Sequence, residues 1–129
     1  MPVVELLETL VLTLLQPGYQ GPVEGPDFPF TYVRGHPSFQ GQQLPIPGPY
    51  RLVVARDRLL YAGERRQKPI FQLPNELIRS MRGQGTEQLT IRVGDNEDWV
   101  DIDFRPTGLT KRRDMKRLVA AVRGKVEPR

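Results

Sequence analysis

With 129 residues and a formal net charge of +4, the chain has the size of one domain with one hydrophobic core. Its hydrophobic fraction of 38% is inconsistent with a disordered chain. The absence of cysteine excludes disulfides, thiolate metal sites and a cysteine nucleophile. A chain without cysteine suits a reducing cytosol or a thermophile, and we expect a cytoplasmic protein.

The first 16 residues, MPVVELLETLVLTLLQ, are strongly apolar and are predicted to form a helix. Val3, Leu7, Leu10 and Leu14 recur at helical spacing, and further aliphatic residues widen the stripe beyond one face. The segment lacks the basic start of a signal peptide and is shorter than the ~20 residues of a membrane span. Such a helix packs in its own core, against a second subunit or on a membrane surface. We expect a homo-oligomer interface through these four residues.

Residues 17–49 are rich in proline and glycine, which disfavours a long helix or a central strand. Their large apolar side chains are too numerous for a free linker. We therefore predict an ordered loop over the sheet, with Phe30–Arg34 as a short or edge strand. The single histidine, His36, has no partner at a catalytic spacing, so it is predicted to be a structural or surface residue.

Short apolar runs separated by turns predict a β-rich region after residue 49. The stretch YRLVVARDRLLYA at 50–62 has two such runs joined by a charged triplet, which is typical of a hairpin. Residues 69–73 predict a third strand, and residues 74–82 are either one helical turn or an irregular strand that Gly83-Gln84-Gly85 breaks. Residues 89–93 and 99–104 alternate with period 2 and predict a second hairpin.

The chain closes with a predicted amphipathic helix over Lys111–Val122, capped by Thr110 and ending near Gly124. Its apolar residues recur at i, i+3, i+4 and i+7. Residues 110–129 carry eight basic and two acidic side chains, a formal charge of +6, whereas residues 1–109 carry −2. Such asymmetry indicates an acidic partner such as nucleic acid, anionic lipid or a protein surface, or simply a solvated helix face.

Three bases, Lys111, Arg112 and Arg113 (hereafter the basic triplet), are predicted at the positive end of the helix dipole. Cations are unfavourable there, so a role other than helix stability is indicated.

Three stretches carry a family resemblance: RLVVARDRLLYAG at 51–63, IFQLPNELIRSM at 70–81 and LTIRVGDNEDWVDIDF at 89–104. Over residues 50–124 the chain resembles pleckstrin-homology-like (PH-like) domains, especially the GRAM-type bacterial members. The resemblance implies a partly open barrel that binds phosphoinositide, anionic lipid or a protein peptide without catalysis. It also places Arg65, Arg66 and Lys68 (the loop bases) at the open end as first candidates for an anion. The basic triplet, at the start of the closing helix, is a further candidate for an anion or instead faces a different partner.

No motif for nucleotide binding, hydrolysis or metal-dependent catalysis occurs. The acids at 95–103 lack the spacing of a calcium loop and are interpreted as a polar strand face rather than a weak divalent site. We predict no catalytic residue, no metal, no cofactor and no small-molecule substrate.

The sequence thus predicts an α+β, mainly β, fold. It comprises an apolar N-terminal helix (1–16), a proline-rich ordered loop (17–49) and an antiparallel sheet or partly open PH-like barrel with a C-terminal helix (50–124). The predicted function is a non-catalytic binding module for an anionic head group or a protein partner. The alternatives are nucleic-acid or anionic-surface binding through the basic helix, and a structural subunit that docks through the N-terminal helix.

Overall fold

A computed structural model describes residues 23–36, 49–63, 69–94 and 97–126 of the chain. These residues form seven strands followed by one long helix, which we label α1. The strands are β1 (Asp27–Arg34), β2 (Tyr50–Val54), β3 (Arg58–Gly63), β4 (Pro69–Pro74), β5 (Ile78–Gln84), β6 (Gln88–Gly94) and β7 (Trp99–Pro106), and α1 spans Lys111–Val126. A short 3-10 turn, Asn75–Leu77, joins β4 to β5.

All strand pairs are antiparallel, and the strand order is β4-β3-β2-β1-β7-β6-β5. Strands that follow one another in the chain are therefore neighbours in the sheet, except β4 and β5, which lie at its two edges. The two halves of the sheet are joined by the pairing of β1 with β7. Both predicted hairpins are confirmed as β2–β3 and β6–β7, with Val54 opposite Leu59 and Gly94 opposite Trp99. The mainly β class, the antiparallel sheet and the C-terminal helix are likewise confirmed.

Strand β1 divides its pairing between two neighbours. Residues 27–29 pair with β2, and residues 30–34 pair with β7, with a bulge between Tyr32 and Arg34. Pro29 is the last residue paired with β2, so its missing N–H falls where the strand changes partner. A strand over Phe30–Arg34 is confirmed, but its prediction as a short or edge strand was wrong. β1 begins three residues earlier and is central, because the proline occupies a point where a central strand tolerates it.

The core lies between the two halves of the sheet and α1. Tyr61 on β3 is fully buried, and its ring stacks on those of Tyr50 and Phe71 with centroids 5.1 and 5.0 Å apart. Its hydroxyl oxygen accepts the backbone N–H of Tyr32 at 2.7 Å. Tyr32 in turn meets Phe104 of β7 edge-on. This aromatic cluster (Tyr32, Tyr50, Tyr61, Phe71 and Phe104) therefore links both halves of the sheet.

Helix α1 contacts β5, β1, β2, β7 and the 3-10 turn. Met115, Leu118 and Val122 are buried and Val119 is half-buried, as the predicted apolar stripe requires. The helix continues through Gly124 to Val126, so the predicted stop at Gly124 was wrong. A single glycine in an exposed turn costs only about 1 kcal/mol relative to alanine and does not end a helix that packs through its preceding turns.

The region after β4 combines both predicted alternatives, because a 3-10 turn leads directly into β5. Ile78 and Met81 of that strand are buried. The strand ends at Gln84 and a turn begins at Gly85, whose φ is +60°, so the predicted break within residues 83–85 is confirmed, although Gly83 itself still belongs to the strand. Pairing of Gly83 with Leu89 on β6 holds the glycine in the ladder.

Several predictions concern residues outside the described ranges. They are the N-terminal helix at 1–16 with its interface residues Val3, Leu7, Leu10 and Leu14, the loop bases, and much of the proline-rich segment. Within the described ranges, no helix has the length and apolar character needed to cross a membrane.

Replacing Leu118 by alanine should lower the free energy of unfolding by about 2–5 kcal/mol, because its fully buried side chain would leave a cavity beneath α1. The matched control is Leu109→Ala, which truncates a fully exposed leucine and should change stability by less than about 0.5 kcal/mol. Urea unfolding followed by circular dichroism measures both. Equal losses for the two variants would contradict the packing described for α1.

Candidate anion-binding site

The basic triplet lies in the first turn of α1, and all three of its side chains are exposed. The dipole of the helix adds partial positive charge at the same end. The only acid in that turn is Asp114, whose Oδ1 accepts a hydrogen bond of 3.2 Å from the Thr110 hydroxyl. This end of the helix is therefore strongly electropositive.

An open cleft of about 760 Å³ lies beside this turn. It is formed by the start of α1, by the loop that precedes it and by the β5–β6 turn. Its lining, which we call the basic cleft, consists of Thr86, Leu109, Thr110, Lys111, Arg112, Arg113, Lys116 and Arg117. Five cations and two hydroxyl groups thus share one concave surface, a set that suits an anion with several oxygens.

The structure places the basic triplet at the start of α1, and the cleft beside it is also lined by residues that the sequence analysis did not name. Lys116 and Arg117 follow Arg113 at i+3 and i+4, and this helical spacing could have identified them. Thr86 comes from a turn 25 residues before Lys111, so no local pattern indicates it. Glu87 beside it is exposed and places one negative charge in the same turn.

The loop between β7 and α1 is anchored on β1. The N–H of Thr107 donates to the backbone oxygen of Pro29 at 3.1 Å. Gly108 lies so close to Pro29 and Asp114 that an added Cβ would be 2.6 Å from the proline Cγ and 2.9 Å from a carboxylate oxygen. Pro106 is also buried. These contacts fix the loop on both sides and leave Leu109 pointing into solvent with an exposure of 105% of the reference value.

The predicted polar face of β7 is largely neutralised by arginines. Asp103 accepts the Thr90 hydroxyl at 2.7 Å and Arg34 Nε at 2.9 Å. It lies on the predicted face of the strand but is buried rather than solvated. Its neighbour Asp101 pairs bidentately with Arg92, at 2.8 and 3.1 Å.

Hydrogen bonds from Arg92 hold the pKa of the Asp101 carboxyl below its usual value. The Arg92 guanidinium also lies 4.8 Å from the centroid of the Trp99 ring. Among the residues that the structure describes, no three His, Cys, Asp or Glu side chains come together as a metal site would require.

His36 is a buried structural residue, one of the two alternatives that the sequence left open. The positive φ of Gly35, +110°, turns the chain inward after β1. The His36 ring then packs on Phe71 with centroids 4.7 Å apart, and the backbone N–H of His36 donates to the Tyr32 hydroxyl at 2.9 Å. Burial lowers the pKa of His36 to about 4 and raises that of Tyr61 to about 12.

No protein-family model matches the chain, and no curated protein matches it. Among solved structures, the chain is similar to the crystal structure of the FERM and C-terminal domain complex of Drosophila Merlin. The TM-score is 0.52 and the identity 18%, with 77% of this chain covered. The fold is PH-like. The chain spans only 28% of the Merlin chain, and at this identity the likeness establishes the fold alone.

Within this PH-like fold, His36 should make stability depend on pH. Its pKa is 6.5 in the unfolded chain and about 4 when buried, so between these values the unfolded state binds more protons. Stability should therefore fall as the pH drops from 6.5 to 4, with a contribution of up to about 1.4 kcal/mol per pH unit from this residue. Urea unfolding at several pH values measures it. His36→Gln is the control because carboxylates titrate in both proteins, and equal pH slopes would contradict the assignment.

The basic triplet should cost helix stability. Changing Lys111, Arg112 and Arg113 together to glutamine should raise the free energy of unfolding by about 0.3–1 kcal/mol per charge at low salt, because cations oppose the dipole there. Arg123→Gln, near the other end of α1, should lower it slightly. Both effects should shrink at high salt, as urea unfolding at two ionic strengths would measure. A triple variant less stable than wild type at low salt would contradict this description.

Proposed function

We propose that the protein is a non-catalytic binding module whose basic cleft takes a phosphate-bearing anion such as a lipid head group. The observation that carries the proposal is the convergence of five cations on one cleft at the positive end of α1. Like charges so close together repel one another, and the helix dipole opposes them as well. A bound polyanion would relieve both penalties.

The chemistry of the cleft supports binding rather than catalysis. Its lining offers cations, two threonine hydroxyls and one leucine, with no carboxylate, histidine or cysteine among the lining residues. Proton transfer or nucleophilic attack at neutral pH requires such a group, or an activated hydroxyl. His36, the single histidine, packs against Phe71 and Tyr32 and does not line the cleft.

We also propose a relationship to the GRAM type, on the resemblance over residues 50–124, and a cytoplasmic location, because a chain without cysteine suits a reducing compartment. The loop bases, between β3 and β4, remain a second candidate anion site. A homo-oligomer through Val3, Leu7, Leu10 and Leu14 is a separate prediction, which sedimentation at several protein concentrations would test.

The proposal is tested with inositol hexakisphosphate, a soluble polyphosphate, titrated calorimetrically at about 50 and 300 mM NaCl. Wild type should bind, and more weakly at the higher salt. Glutamine at all three positions of the basic triplet should weaken binding at least about tenfold, because the loss of even one charge-assisted hydrogen bond, worth ~1.5–3 kcal/mol, has that effect. The same variant should fold at least as stably as wild type, so lost binding would not reflect unfolding.

Two further triple variants localise the site. Arg56, Arg79 and Arg123 are exposed bases outside the cleft, and their joint change to glutamine removes the same net charge. This control should retain most of the affinity. Glutamine at the loop bases Arg65, Arg66 and Lys68 separates the two candidate sites. If wild type fails to bind at low salt, or the control loses as much affinity as the basic triplet, the proposed site is wrong.

A further inference from the structure

We propose that the basic cleft docks on an anionic bilayer and that Leu109 inserts into it. This inference rests on the proposed function. It adds that the phosphates belong to membrane lipids and that Leu109 distinguishes a membrane from a soluble anion. The starting observation is that Leu109, an aliphatic side chain in a cleft otherwise lined by cations and hydroxyls, is fully exposed.

The position of Leu109 is fixed rather than incidental. The residue lies between Gly108, where any side chain would clash with Pro29 and Asp114, and Thr110, which donates a hydrogen bond to Asp114. One residue before Gly108, the Thr107 N–H is held by the backbone oxygen of Pro29. The loop is thereby tied to both β1 and α1. Leu109 therefore projects from a preorganised support, which lowers the entropic cost of inserting it.

Positive charge surrounds the projecting leucine in the chain. Between residues 105 and 117 there are six bases and one acid, and the acid, Asp114, is engaged by Thr110. Arg105, on the β7 side of the loop, is exposed like the basic triplet on the α1 side. In the chain, Leu109 thus stands between Arg105 and the basic triplet, and the cations of the cleft would meet lipid phosphates beside an inserted side chain.

A bilayer accounts for both features better than the other occupants. A free polyphosphate would meet the cations but gain nothing from a projecting leucine. A protein interface of standard size needs about 800 Å² per partner with a buried apolar centre. The other exposed large apolar residues of the described chain, Val33 and Trp99, are not in the cleft. An anionic membrane offers negative charge and hydrocarbon at one surface, so a single leucine among cations suffices.

The test compares vesicles with the soluble anion. Wild type should partition onto phosphatidylcholine vesicles containing about 30% phosphatidylserine and not onto pure phosphatidylcholine, and less so at higher salt. Leu109→Ser should reduce that partitioning by about tenfold, because it removes the inserted side chain. It should leave the affinity for inositol hexakisphosphate unchanged. Val33→Ser, which alters an exposed apolar residue elsewhere, is the matched control and should change neither.

Fluorescence gives an independent reading, since Trp99 is the single tryptophan. In the double variant Trp99→Phe, Leu109→Trp, emission should shift to the blue with phosphatidylserine vesicles and not with inositol hexakisphosphate. Wild type, reporting from Trp99, should show no shift with either. Partitioning insensitive to Leu109→Ser, or an unshifted tryptophan at 109, overturns the inference. If inositol hexakisphosphate still binds in that case, the proposed function survives; if it does not bind, both fall.

Discussion

The divided pairing of β1 is the constraint on which the rest of this fold depends. Had β1 continued along β2, the sheet would have ended there, and the three C-terminal strands would have had no partner in the first half of the meander. Because β1 leaves β2 at Pro29 and joins β7, the sheet bends around a core filled by the aromatic cluster and closed by α1. The Tyr61 hydroxyl secures this bend from within, since it accepts an N–H from the second half of β1.

The same proline links the architecture to the candidate site. Its carbonyl holds the Thr107 N–H and its ring abuts Gly108, so the loop that leads into α1 is set by the strand that bends the sheet. The buried stripe on α1 then orients the helix, because Leu118 and its apolar neighbours can face only the core. The bases, on the remaining faces, are carried outward. The position of the basic cleft is therefore set by two packing features: the contacts of Pro29 with the loop before α1, and the burial of the apolar stripe of α1.

Local periodicity was sufficient where one face of an element is buried, which is why both hairpins and the closing helix were predictable. It failed where tertiary context overrides a residue's usual preference. Pro29 is tolerated in a central strand because β1 changes its pairing there from β2 to β7, and α1 continues through Gly124 because its preceding turns are packed against the core. At the site, the basic triplet was identifiable because three cations at a helix start conflict with local stability. Thr86 and Leu109 were not identifiable from the sequence. Thr86 is close to the basic triplet only in space, and Leu109 lies in a loop without periodicity.

The two ends of the sheet bear on how the protein behaves at high concentration. Exposed edge strands invite edge-to-edge association between copies, which proteins counter with proline, charge and short strands. β4 begins at Pro69 and ends at Pro74, so only four of its six residues carry an N–H, and in an antiparallel ladder alternate ones already point to β3. At the opposite edge, β5 contacts α1 and exposes Arg79 and Arg82. Neither edge strand offers a long, uncharged run of free backbone groups for another copy to pair with, so we expect the sheet to resist edge-to-edge association.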